Sequence, residues 1–96
     1  MELDLNIICS EISNSLTSNE ASAIKVSNNN SSNGVTYEID GNKCKSNISF
    51  WPNGHCDIDY VLVKNNKSTN NQFIFKSKED AVSTIIKEIK EAIQRA

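Results

Sequence analysis

Apolar and polar positions alternate in different periods along this chain, and the period changes mark its elements. Leu5, Ile8, Ile12 and Leu16 recur at helical spacing, with Cys9 beside them, so residues 4–17 are predicted as a helix. Its many Ser and Asn residues compete for backbone hydrogen bonds and weaken it. Ala23 to Val26 reads as a short strand, and Asn28 to Gly34 (NNNSSNG) as a loop of turn formers. Val35, Tyr37 and Ile39 then alternate with Thr36, Glu38 and Asp40, the period of two expected of a half-buried strand. Gly41-Asn42 suits a two-residue II′ turn, with Gly at the positive-φ position. That turn sets Ile39 opposite Cys44, Tyr37 opposite Ser46 and Val35 opposite Ile48. On the other face it sets Asp40 opposite Lys43 and Glu38 opposite Lys45.

The next hairpin is specified more tightly. In Trp51-Pro52-Asn53-Gly54-His55, proline holds the second position of a type I turn and glycine follows where a left-handed residue is needed. This predicts a three-residue loop with a bulge at Gly54. Phe50 then faces Cys56, Ile48 faces Ile58 and Ser46 faces Tyr60. The opposite row pairs Trp51 with His55, Ser49 with Asp57 and Asn47 with Asp59. A two-residue loop would set Phe50 against Asp57 and scramble both faces.

Lys64 to Asn71 reads as a polar loop and Gln72 to Lys76 as a short closing strand. Ser77 is the N-cap of a second helix, with Asp80 completing a capping-box variant. Val82, Ile85, Ile86, Ile89 and Ile93 form its apolar stripe, and Lys87, Glu88, Lys90 and Glu91 its polar face. The expected fold is α+β: an antiparallel β-meander of four to five strands, with an N-terminal and a C-terminal helix packed on one face. At 96 residues it is one domain, 1–96.

Composition and charge narrow the function classes. The net charge is −2 and no cluster of Lys or Arg forms, so a nucleic-acid partner is not expected. No apolar run nears the roughly 20 residues of a membrane span, so no membrane partner is expected either. The first residues carry Glu2 and Asp4 and lack a basic segment before an apolar one, which speaks against a secretory leader and for the cytoplasm. The abundant Asn and Ser fit compositional bias, and the sequons at Asn29, Asn30, Asn47 and Asn66 carry no weight in that compartment. Cys9, Cys44 and Cys56 lack metal-ligand spacing and read as three free, buried thiols. No cofactor is expected.

Candidate chemistry is sparse. His55 is the one histidine, at a hairpin tip, and alternation puts Cys56 on the opposite face, so the two form no dyad. Asp57 and Asp59 share one face of one strand. They read as a solvated face, as a protein-binding patch or, least well, as metal ligands. The isolated glycines Gly34, Gly41 and Gly54 build no phosphate loop. An enzyme is therefore not expected. Trp51 falls on the outer face, either as a binding anchor or packed over its own hairpin or under the N-terminal segment.

The stretch ISFWPNGHCDIDY (48–60), followed by SKEDAVSTIIKEIKEAI, resembles the TriTu type of bacterial immunity protein. The likeness covers about residues 20–95. It rests on Trp51, Gly54, Asp57 and Asp59 in a W-x-x-G-x-x-D-x-(D/E) hairpin, and on Ser77, Glu79 and Asp80 before the closing helix. The N-terminal helix departs from the family's longer form. The resemblance implies a protein that binds and neutralises a cognate bacterial toxin, an ADP-ribosyltransferase acting on elongation factor Tu. The expected partner-binding residues are Trp51, His55, Asp57, Asp59, Glu38 and Asp40, in a chain that is a monomer when free. The alternative is a small cytosolic adaptor or assembly protein that uses the same face for self-association or for a secretion partner.

Overall fold

The structure, a computed structural model, describes residues 2–29 and 33–96. Asp4 caps the first helix, α1 (Leu5–Ser15), its carboxylate accepting from the Asn6 and Ile7 amides at 3.0 and 3.3 Å. A second short helix, α2 (Ser18–Ser22), was not expected from the sequence. It begins with a capping box, in which Thr17 and Glu20 bond each other's backbone amide. Five strands follow: β1 (Lys25–Asn29), β2 (Gly34–Asp40), β3 (Cys44–Phe50), β4 (His55–Leu62) and β5 (Lys67–Ile74). The last helix, α3 (Lys78–Arg95), starts at Ser77, whose hydroxyl accepts from the Asp80 amide. The Asp80 carboxylate reaches back to the Lys76 amide, one residue before the cap.

The strands form one antiparallel meander in sequence order. Ile8 and Ile12 of α1 and Ala81, Ile85, Ile89 and Ala92 of α3 are buried with Val35, Tyr37, Ile39, Ile48, Phe50 and Ile58 of the sheet. Both helices therefore cover one sheet face, as the patterns predict. The centre of the α3 stripe is Ala81–Ile85–Ile89–Ala92, while Val82, Ile86 and Ile93 pack at its flanks. Two surface ion pairs join the helical layer, Glu11–Lys78 at 3.0 Å and Glu20–Lys90 at 2.9 Å. Among the described residues, no helix is long and apolar enough to cross a membrane.

Three expectations are corrected. The first hairpin turns on Asn42 and Lys43, one residue later than read, closed by the Gly41 amide donating to Cys44 O at 3.0 Å. Pairing shifts by two: Ile39 faces Ser46, Tyr37 faces Ile48, Val35 faces Phe50, and Asp40 rather than Glu38 faces Lys45. A shift of two keeps every side chain on its face, so alternation alone cannot separate the two registers. Gly41 does not supply a positive φ. Its role is close approach, since a Cβ there would sit 2.3–2.4 Å from Ala96 at the end of α3. Second, the Ala23–Val26 strand lies two residues later, and Asn28 and Asn29 belong to it rather than to the loop, of which residues 30–32 lie outside the described residues.

Third, the Lys64–Asn71 segment is mostly strand. β5 begins at Lys67 and ends at Ile74 after a short turn in which Asn66 takes φ 55°. Exposed along its length except at half-buried Thr69, β5 lies beyond the cover of the helices, so burial imposes no apolar alternation on it.

The three cysteines are free, with Cys44 opposite Leu62 and Cys56 opposite Phe50 as expected. Burial pushes the Cys56 thiol up to about 12 and the Tyr37 phenol upward as well. Both groups fold with pKa values above those of the unfolded chain. Their contribution to stability is whole below the unfolded values and is lost as pH rises through the folded ones. Denaturant midpoints should therefore fall as pH rises from about 8.5, the ordinary thiol value. Alkylation at pH 8 followed by intact-mass analysis should label half-buried Cys9 first. All three cysteines should label in the unfolded, unreduced chain. A stable two-label product would mean that a disulfide forms.

Candidate functional site

The second hairpin sets the geometry of the open sheet face, and it forms as its residues dictate. Trp51 N donates to His55 O and Gly54 N to Trp51 O, both at 3.0 Å, with Gly54 at φ 94°. Phe50 faces Cys56, Ile48 faces Ile58, Ser49 faces Asp57 and Asn47 faces Asp59. With Phe50 wholly buried, the residues between the inward ones project to the side away from the helices.

Cross-strand rows can then be read over the outer face. One runs Lys25, Glu38, Asn47, Asp59, Asn70; the next runs Ser27, Thr36, Ser49, Asp57, Gln72. Toward the hairpin tip, His55 lies beside Ile74, and at the far end Asp40 beside Lys45. The structure thus brings Glu38, Asp40, His55, Asp57 and Asp59 onto one surface. Trp51 borders it, half-buried, in a shallow concavity of about 330 Å³ shared with Asn53, His55, Asp57 and Gln72.

The two carboxylates of β4 are held together. The Asn70 side-chain amide donates to Asp57 Oδ1 at 2.6 Å and to Asp59 Oδ1. A neutral amide, not a cation, bridges them, so the bridge itself brings no compensating charge. In the middle of the face, the Thr36 and Ser49 hydroxyls bond at 2.8 Å. Lys25 on β1 stands opposite Glu38, a neighbour that the expected pairing of Glu38 with Lys45 had missed. No group of three or more metal-ligating side chains occurs among the described residues.

Trp51 packs against the neighbouring strand β2, outside its own hairpin. Continuing the β2–β3 register one pair beyond Val35–Phe50 sets Gly34 opposite Trp51. A Cβ on Gly34 would lie 2.5 Å from Trp51 Nε1 and 2.8 Å from its Cδ1. The indole lies over the bare backbone of a strand-end glycine, as aromatics do where they cover glycine in a sheet. Gly34→Ala should displace the ring and cost about 1–2 kcal/mol, in the range of overpacking. Trp51 is the one tryptophan, so intrinsic fluorescence reads this directly as a red shift. An unchanged spectrum and melting point would show that the ring does not rest there.

Sequence reasoning missed Lys25, Asn70, Gln72 and Ile74 as part of this face. The signal for the last three was the Asn65-Asn66 pair, a turn signature that closes a hairpin between Leu62 and Lys67. Ile74 is 67% exposed beside His55, the most exposed large apolar residue among those described. Comparison with known proteins finds no matching family model, no matching curated protein and no matching solved structure.

Proposed function

We propose that this protein is an immunity protein that binds and neutralises a cognate bacterial toxin through the open face of its sheet. The observation that carries the reading is the face itself. Neither α1 nor α3 covers it, the Asp57–Asp59 pair lies on it with no lysine opposite, Glu38 and Asp40 lie beside Lys25 and Lys45, and a half-buried indole and an exposed isoleucine border it. An acidic face with apolar anchors at one end is complementary to a basic cleft with an apolar rim. The cleft of an ADP-ribosyltransferase has to attract the pyrophosphate of a dinucleotide and so is of that kind. The Trp51–Asp59 hairpin, through its resemblance to TriTu-type immunity proteins, supports the same toxin class, one acting on elongation factor Tu.

The mechanism is occlusion. Acids docked at the cleft take the place of the dinucleotide's phosphates, and the protein itself does no chemistry. Self-association through the same face with its two-fold axis near Asp57 and Asp59 is disfavoured, because it would set these acids of the two copies together. The test is co-expression with a candidate ADP-ribosyltransferase toxin domain. Growth should be rescued, and the purified pair should co-elute. Continued toxicity in cells holding folded protein would overturn the reading.

A further inference from the structure

β5 is an edge strand: it pairs with β4 and, among the described residues, with no other strand. The direction of its free groups follows from three contacts. Trp51 N–His55 O makes Trp51 and His55 a hydrogen-bonded pair, so the odd-numbered residues of β4 bond β3 and the even-numbered ones turn to β5. Phe75 N donates to Gly54 O at 2.8 Å, in step with this. Hence Lys67, Thr69, Asn71 and Phe73 bond β4, while Ser68, Asn70, Gln72 and Ile74 aim N–H and C=O at the open edge. The side chains of these same four residues share the outer face with Asp57 and Asp59.

Edge strands are normally blunted by proline, lysine, a bulge or a covering element. From Ser68 to Ile74 this edge has no proline, glycine or charge, and it is exposed except at Thr69. Its polarity keeps it soluble and does not block pairing. Phe73 on the helix side and Ile74 on the outer side are 39% and 67% exposed, so apolar surface flanks one end of the edge on both faces.

We propose that the free edge of β5 accepts an extended strand of the protein partner, with basic residues in that strand's outer row and an apolar residue beside Ile74. This rests on the reading of the outer face as the partner-binding surface. Backbone pairing at Ser68, Asn70, Gln72 and Ile74 supplies the docking, and the side chains supply selection. An added strand lies two strand spacings from β4, about 9.6 Å. A lysine or arginine stem crossing Asn70 or Gln72, together with an aspartate side chain, spans that gap to Asp59 or Asp57. Antiparallel to β5, the incoming strand reads apolar-x-basic-x-basic. A second copy of this chain fits worse. Antiparallel β5–β5 pairing through the open-edge groups sets Ile74 opposite Ser68 and Asn70 opposite Gln72, which gives Ile74 no apolar partner and brings the Asp57–Asp59 pairs of both copies toward each other on one face.

The probe is a blocked seven-residue peptide, threonine-valine-threonine-lysine-threonine-arginine-threonine, titrated to millimolar concentration into the ¹⁵N-labelled chain. The amides of Asn70, Gln72 and Ile74 should shift and exchange more slowly. A peptide with glutamates for its two basic residues should bind at least about tenfold more weakly. Ile74→Lys, at an exposed position, should weaken the basic peptide by about the same factor with an unchanged melting point. Gln72→Pro removes an edge donor without touching the β4 ladder and should also abolish pairing at that point. Unmoved edge amides, equal binding of the acidic peptide, or a β5-mediated dimer in sedimentation without peptide would each overturn the proposal. Toxin binding lost on charge reversal of Asp57 and Asp59 but untouched by Ile74→Lys and Gln72→Pro would overturn the edge alone and leave the face reading standing.

Discussion

Phe50→Ala is expected to destabilise the protein by about 3–5 kcal/mol, the range for a buried aromatic truncated in a core. Phe50 is fully buried, stacks at 5.6 Å and a tilt of 50° on Tyr37, and lies in the central strand. A domain of this size holds roughly 5–10 kcal/mol in total, so much of its stability would go. Ile85→Ala and Ile89→Ala belong to the same class, at about 2–5 kcal/mol, because both are completely buried under the sheet. Ile86→Ala should cost about half as much, since Ile86 packs at the flank of the stripe. Urea denaturation followed by circular dichroism checks all four. An Ile86→Ala loss equal to that of Ile85→Ala would place the helix in a different rotation on the sheet.

The second large effect is on binding. Asp57→Lys with Asp59→Lys replaces two carboxylates by two cations at the centre of the acidic face. Against a basic partner this should weaken the complex by at least about 30-fold, mainly through a slower association at low salt. Trp51→Ala should lose about 2 kcal/mol or more of binding if the indole is a central anchor. It should also cost some stability, because the ring covers Gly34. The double reversal is the cleaner variant: Asp59 is exposed, and the Asn70 bridge is the contact given up. Lys87→Ala, on the exposed side of α3, serves as the control and should bind normally. Calorimetry against the purified toxin domain, with melts in parallel, measures both quantities. Unchanged affinity for the double reversal and for Trp51→Ala, in folded protein, would remove this face from consideration.

Where local chemistry over-determines a structure, the residues were enough. The Pro52-Asn53-Gly54 turn admits one loop length compatible with two consistent faces, and the observed β3–β4 register is the one it predicts. The Ser77 cap, both helices and the inward row of Val35, Tyr37, Ile39, Ile48, Phe50 and Ile58 follow from period and capping in the same way. The outer-face position of Trp51, His55, Asp57 and Asp59 follows from that register, and that of Glu38 and Asp40 from the alternation of β2, which a slip of two leaves unchanged. Elsewhere tertiary packing made the choice. Gly41 looked like a turn glycine, yet the approach of Ala96 explains it, and the pairing of β2 with β3 sits two residues from the expected one. Strand β5 is nearly all polar, because no helix covers it and burial is what writes alternation into a strand. Its partner β4 organises it, through backbone bonds that any side chain permits. The Asn70 bridge between Asp57 and Asp59 and the open edge at Asn70, Gln72 and Ile74 therefore appear only once the chain is folded.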